Sequence, residues 1–280
     1  MTHGALIFAQ NNSTVNYVTL AIFSAKQVIK HLGIPVTLVT DAESVPKHDA
    51  EVFDKIIVID GEKSAQTKKF FDGALFASNL EWKNYSRGQV YDLTPYDKTL
   101  VIDSDYVINS SVLKPAFEID SDFQIYQKSF PLAVWRNDST FQRLNQFSIK
   151  FYWATAFVFE KNPATKAFFD IVKNIKENWT YYKSLYHLDS DLFRNDFAFS
   201  IAIHMMNDLS DGFFTTELPG NMTYIMDRDF LVTATDNKMQ FLIEKEHELG
   251  KYTLVKTTGL DVHVMNKHSL LRFIDGGCGV

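Results

Sequence analysis

The chain has 280 residues, 46% of them apolar and including 24 Phe and 12 Tyr, which is enough for a substantial buried core. Its net charge of −6 gives no global attraction to nucleic acid or anionic lipid. The single cysteine, Cys278, excludes an internal disulfide and fits a reducing compartment.

The opening "MTHGALIFAQNNS" lacks a basic n-region, and its apolar run is too short for a signal peptide. No apolar stretch reaches the roughly 20 residues that a membrane helix needs. A soluble, cytoplasmic protein is expected. "GALIFAQ" (4–10) reads as a buried strand, with polar Asn11, Asn12 and Ser13 after it. "NYVTLAIFSAKQVIKHLG" follows with apolar residues at helical spacing and Gly33 as its stop. "IPVTLVTD" (34–41) and "KIIVID" (55–60) are the next two strands. Strand–helix–strand at this spacing predicts a right-handed crossover and a parallel sheet, whose ligands bind at the carboxyl ends of the strands. Gln10, Asn11, Asn12 and Asp41 fall there.

"SRGQVYDLTPYD" (86–97) predicts a short helix and turn leading into the strand "TLVID". "FYWATAFVFEK" (151–161) is a further strand, and helices are expected over 163–179 and 191–208. The last 60 residues are strand-rich and close on a short helix, "NKHSLLRF". Trp135, Trp153 and Trp179 read as core. With no repeat or linker, the pattern gives one α/β domain over 1–280: a mixed, mainly parallel central sheet flanked by helices.

Four D-x-D triplets occur, at 103–105, 120–122, 189–191 and 227–229. Only the first ends an apolar, β-like run, so that Asp103 closes a strand and Asp105 begins a loop. The other three sit in polar surroundings and read as solvated turns or caps. Two carboxylates so close repel unless a cation compensates them, so Asp103 and Asp105 point to a divalent metal with open positions for phosphate oxygens. His263 in "GLDVHVMNKHSL" stands at the end of an apolar alternation and is the third ligand candidate; a mixed O/N shell suits manganese better than magnesium. No phosphate-binding G-x-x-x-x-G-K-[ST] or G-x-G-x-x-G stretch is present.

"SRGQVYDLTPYDKTLVIDSDYVI" resembles the core of GT-A fold glycosyltransferases, in which an arginine-bearing helix precedes a strand ending in a metal-binding D-x-D. With "GALIFAQNN" first and "DVHVMNK" late, the order is similar to that of family 8 retaining transferases, whose late H-x-x-G-x-x-K stretch supplies a third metal ligand. The resemblance implies a Rossmann-type, GT-A-like fold with a nucleotide-sugar-binding half (1–110) and an acceptor or catalytic half (111–280). It implies Asp103, Asp105 and His263 as ligands of Mn2+ (or Mg2+), and a nucleotide-sugar donor, a UDP-sugar first. Two features depart from the family pattern. Asn266 stands where the family has glycine, with Lys267 one position early, and its catalytic Asp-Gln pair is replaced by Asp196 in "RNDFAFSIAIH".

On this reading Asp196 stabilises the oxocarbenium-like centre. Arg87 and Lys267 meet the diphosphate, and Ser104 joins the donor site. Gln10, Asn11 and Asn12 hold the base and ribose, and Tyr17 stacks on the base; the asparagines serve equally well as helix caps. The N-terminal half is also similar to glycosyltransferases of tailed phages, which implies the host cytoplasm and a hydroxymethylated DNA base as one acceptor. Rival readings are a haloacid dehalogenase-type phosphatase, whose D-x-D belongs on the first strand, and a sugar nucleotidyltransferase, which needs a Gly-rich basic loop after that strand. A catalytically inactive nucleotide-sugar-binding module is the non-enzymatic alternative.

Overall fold

The structure, a computed structural model, describes residues 1–60, 66–83, 87–133, 135–136, 141–145 and 148–276. Cys278 lies outside the described residues. In chain order the elements are β1 (His3–Phe8), α1 (Tyr17–Leu32), β2 (Val36–Asp41), β3 (Lys55–Ile59), β4 (Gln66–Phe71), β5 (Ala77–Trp82), α2 (Val90–Leu93), β6 (Lys98–Asp103), β7 (Tyr106–Val107), β8 (Phe123–Tyr126), β9 (Ser129–Pro131) and β10 (Trp153–Glu160). There follow α3 (Pro163–Glu177), α4 (Trp179–Leu185), α5 (Asn195–Met206), β11 (Met222–Ile225), β12 (Phe230–Thr235), β13 (Lys238–Glu244), β14 (Tyr252–Thr258), β15 (Val262–Val264) and α6 (Lys267–Asp275).

The central sheet has six strands in the order β3-β2-β1-β6-β10-β8. β3, β2, β1 and β6 run parallel, while β10 runs antiparallel to both β6 and β8, so the sheet is mixed and mainly parallel, as expected. β1 and β6 are almost continuous apolar runs because both faces of the sheet are covered. Ala5, Ile7, Leu100 and Ile102 face a core shared with α1 and α6. Leu6, Phe8 and Val101 face the opposite core, filled by Phe157, Phe159, Phe168, Phe169 and Phe199. Trp153 is fully buried, and Trp135 and Trp179 pack against the two cores.

Local signals set the helix limits. The Asn16 side chain accepts from Thr19 N–H at the start of α1, and Gly33, at φ 73°, adopts the left-handed conformation that ends it. Asn162 and Thr165 form a reciprocal capping box on α3, with Pro163 in the first turn.

The strand-rich C-terminal part divides between two small sheets. β7, β15, β11 and β9 form one, and β12, β13 and β14 the other. β4 and β5 pair as a hairpin that the sequence reading did not anticipate. Among the described residues no helix is long and apolar enough to cross a membrane.

Candidate metal and substrate cleft

Asp103 is the last residue of β6, at the carboxyl end of the parallel strands, and the chain turns at Ser104 and Asp105 into β7. There β7 pairs antiparallel with β15, placing His263 opposite Tyr106, and Val264 N–H donates to the Asp105 carbonyl at 2.9 Å. Register alone therefore carries His263 to the D-x-D. One oxygen from each of Asp103 and Asp105 and one nitrogen of His263 lie within 4.8 Å of one another, the one such cluster among the described residues. Two carboxylates and an imidazole fit a divalent cation, and the buried His263 Nδ1 has no hydrogen-bond partner among the described residues.

Cationic side chains stand against both acids. Arg87 pairs with Asp103, and Lys267 Nζ lies 2.6 Å from Asp105 Oδ2, with His263 Nε2 at 3.4 Å from the same oxygen. Burial alone would raise the Asp105 carboxyl, but Lys267 and His263 outweigh it and hold that group well below the usual carboxylate range. The opposite balance governs Lys267: burial disfavours its charge, yet Asp105 keeps the ammonium above its ordinary value. Asn266 caps α6 by accepting from Ser269 N–H, which puts Lys267 in the first turn. A cation there opposes the helix dipole, so the pairing with Asp105 offsets a local cost.

A bulge in β10 joins the rest of the site. The pairing register with β8 shifts between Trp153 and Phe157, which leaves Ala154 out of the ladder. Its N–H donates to Asp196 Oδ1 at 3.0 Å and its carbonyl accepts from Arg87 Nη1. One residue thus anchors both Arg87, 3% exposed, and Asp196, in the first turn of α5. Arg194 Nη2 holds the other Asp196 oxygen at 2.8 Å. Burial pulls the Arg87 guanidinium down to about 10, which still leaves it charged at neutral pH.

These groups line a cleft of about 130 Å3 with Tyr17, Lys68, Phe70, Trp82, Trp153 and Asp227. A larger cavity, about 850 Å3 and lined by Arg143, Lys150, Tyr152, His187 and His204 among others, lies elsewhere and carries no such metal-ligating cluster among the described residues. Asp103, Asp105 and His263 line the smaller cleft.

No protein-family model and no curated protein matches the chain. Solved structures that resemble it include the galactosyltransferase LgtC in complex with donor and acceptor sugar analogues, at 14% identity over 80% of this chain and 75% of that one, TM-score 0.47. The glycosyltransferase GlyE of Streptococcus pneumoniae TIGR4 aligns at 12% identity over 78% of this chain, which spans 45% of GlyE, TM-score 0.42. The inositol-1-phosphate CTP transferase of T. maritima aligns at 14% over 78% and 85%, TM-score 0.41. The likeness is one of architecture.

The cleft gathers Asp103, Ser104, Asp105, His263, Arg87, Asp196, Lys267 and Tyr17 from the sequence candidates. Burial raises the Tyr17 hydroxyl to about 12. Three candidates are placed differently. Gln10 is buried and does not line the cleft. Asn11 Oδ1 accepts from Val18 N–H, and Asn12 accepts from Val15 N–H while its amide donates to the Glu81 carbonyl at 2.7 Å. The asparagine side chains therefore fix the start of α1, and that of Asn12 also holds the β5 strand. Asp227 and Asp229 also correct the expectation of a solvated turn. Asp229 is fully buried and bound by Arg136, and Asp227 lines the cleft with its carboxyl raised by burial. Lys68, Phe70, Trp82 and Arg194 were missed.

Proposed function

We propose that the chain is a metal-dependent glycosyltransferase that moves a sugar from a nucleotide-sugar donor to an acceptor hydroxyl. The observation that carries this reading is the convergence of Asp103, Asp105 and His263 where the parallel strands end, ringed by cations and faced by Asp196. Asp103, Asp105 and His263 would hold the ion, with manganese the metal that best suits a mixed oxygen and nitrogen set. The bound cation supplies Lewis-acid neutralisation of charge on the departing nucleoside diphosphate.

The chain's own residues do the rest. Arg87, fixed on Ala154, and Lys267, released from Asp105, are the donors that take up phosphate charge. Asp196, an acceptor-only carboxylate held in place by Ala154 and Arg194, stabilises positive charge at the anomeric centre. The resemblance of the D-x-D and histidine segments supports transfer with net retention, a UDP-sugar first among donors. Proton NMR of the product anomer checks the stereochemistry.

The test is release of nucleoside diphosphate from a panel of nucleotide sugars, with Mn2+ and with EDTA. Wild type is expected to turn over only with the metal, and Asp105→Ala not at all. Full activity of Asp105→Ala, or of wild type in EDTA, refutes the proposal. Release of pyrophosphate from a nucleoside triphosphate and a sugar 1-phosphate, without nucleoside diphosphate release, assigns the cleft to a nucleotidyltransferase instead.

A further inference from the structure

Among the described residues four lysine and arginine side chains line the cleft: Lys68, Arg87, Arg194 and Lys267. Three of them are matched. Arg87 faces Asp103, Arg194 lies 2.8 Å from Asp196, and Lys267 lies 2.6 Å from Asp105. Lys68, on β4 of the hairpin, has no carboxylate within ion-pair distance among the described residues. Its ammonium lies 5.6 Å from the ring centre of Phe70 and 5.8 Å from that of Trp82, contacts that hold a cation only weakly.

The surroundings of Lys68 are set to receive an anion. Burial, then Arg194 and Lys267, push its ammonium down to about 8, against the smaller opposing pull of Asp196 and Asp105. Asp227, the remaining acid of the cleft, has its carboxyl raised by burial, against the opposing Phe71 backbone N–H and the charges of Lys267 and Lys68. An anion entering between these cations relieves their mutual repulsion.

The backbone of the hairpin that carries Lys68 is held at both ends. At its base Phe193 N–H donates to Gln66 Oε1 at 2.8 Å, beside Arg194 in the chain, and Asn12 donates to the Glu81 carbonyl. At its tip Arg272 forms a two-pronged pair with Asp72, both contacts at 2.7 Å, and Ala74 N–H donates to the Tyr252 hydroxyl at 3.0 Å. Such anchoring lowers the ordering cost of a charged contact.

We propose that Lys68 grips the donor's diphosphate from the hairpin side of the cleft. This rests on the glycosyltransferase reading. It adds a phosphate ligand from an element outside the central sheet, one that neither the D-x-D nor the late histidine segment supplies.

Titration calorimetry of UDP and of inorganic pyrophosphate, each with Mn2+, decides it for wild type, Lys68→Met and Lys68→Arg. Lys68→Met is expected to weaken both ligands by about tenfold or more, the usual weight of a charge-assisted hydrogen bond, and Lys68→Arg by much less. Binding of Mn2+ alone should be unchanged. At pH 8 wild type should also take up protons on binding, seen as a dependence of heat on buffer ionisation enthalpy, and Lys68→Arg should not. Wild-type affinity of Lys68→Met for both ligands, or a loss confined to UDP, overturns the proposal. If wild type binds neither pyrophosphate nor any of UDP, ADP, CDP, GDP and TDP, the donor reading falls as well.

Discussion

Lys267→Met separates the two jobs assigned to Asp105. In the wild-type cleft the Asp105 and Lys267 side chains are 4% and 13% exposed, and their charged atoms are 2.6 Å apart. Removing one member of a buried pair costs about 3–5 kcal/mol, because the survivor keeps its desolvation penalty. His263 at 3.4 Å retains part of the compensation, which puts the loss near the lower end. At roughly 2–4 °C per kcal/mol for a chain of this size, the metal-free variant should melt about 6–12 °C below wild type. The same substitution should tighten Mn2+ binding, since the ion no longer has to displace an ammonium. A hydrogen bond to a charged group is worth about 1.5–3 kcal/mol, which converts to roughly 10- to 150-fold. Manganese should then restore much of the lost stability by mass action. Calorimetry with MnCl2 and thermal melts with and without the ion measure both effects. A variant that binds Mn2+ no tighter than wild type, or melts with it in the absence of metal, shows that Lys267 does not guard the carboxylate and refutes the reasoning.

Arg136→Met should lower stability by about 3 kcal/mol or more, because the fully buried Asp229 loses contacts at 2.5 and 2.6 Å and keeps only the N–H groups of Met226 and Glu244. A fall in Tm of less than about 2 °C would contradict this, and Mn2+ affinity should not change. Asp72→Asn unclasps the hairpin from α6, which should speed hydrogen exchange in residues 66–82. The hydrogen bond from Arg272, working against burial, holds the Asp72 carboxyl below its ordinary 3.8. Its contribution is therefore present at neutral pH and fades as pH falls through that lowered value, so the two proteins should converge in stability only well below pH 3.8. Equal exchange rates at pH 7 would show that the clasp is not formed. Gly4→Ala sets a Cβ 2.3–2.5 Å from the Tyr96 ring, whose hydroxyl is bonded to Thr37, and should cost about 1–3 kcal/mol by urea titration; a neutral result means that the ring moves freely.

Where a segment's neighbours are local, the sequence was a good guide. Gly33 marks the end of α1, and the run into Asp103 marks the carboxyl edge of β6, because both depend on residues a few positions away. The β4–β5 hairpin escaped because β4 carries two adjacent lysines, β5 is mostly polar or small, and neither sequence alternates clearly; the Asp72-Gly73 pair was the signal that would have flagged its turn. Asp229 looked like a turn residue because the arginine that justifies its burial lies far back in the chain. Lys267 and His263 were both noticed, but their common contact with Asp105 depends on the register of β7 against β15, which no short window encodes. Asn11 and Asn12 were ambiguous in sequence, and their side chains went to the backbone groups that begin a helix.

The pairing of β15 with β7 has a consequence for biosynthesis. His263 comes from a strand made long after the two aspartates, so a chain ending before Val262 keeps Asp103 beside Arg87 but lacks the edge that brings an imidazole to Asp105.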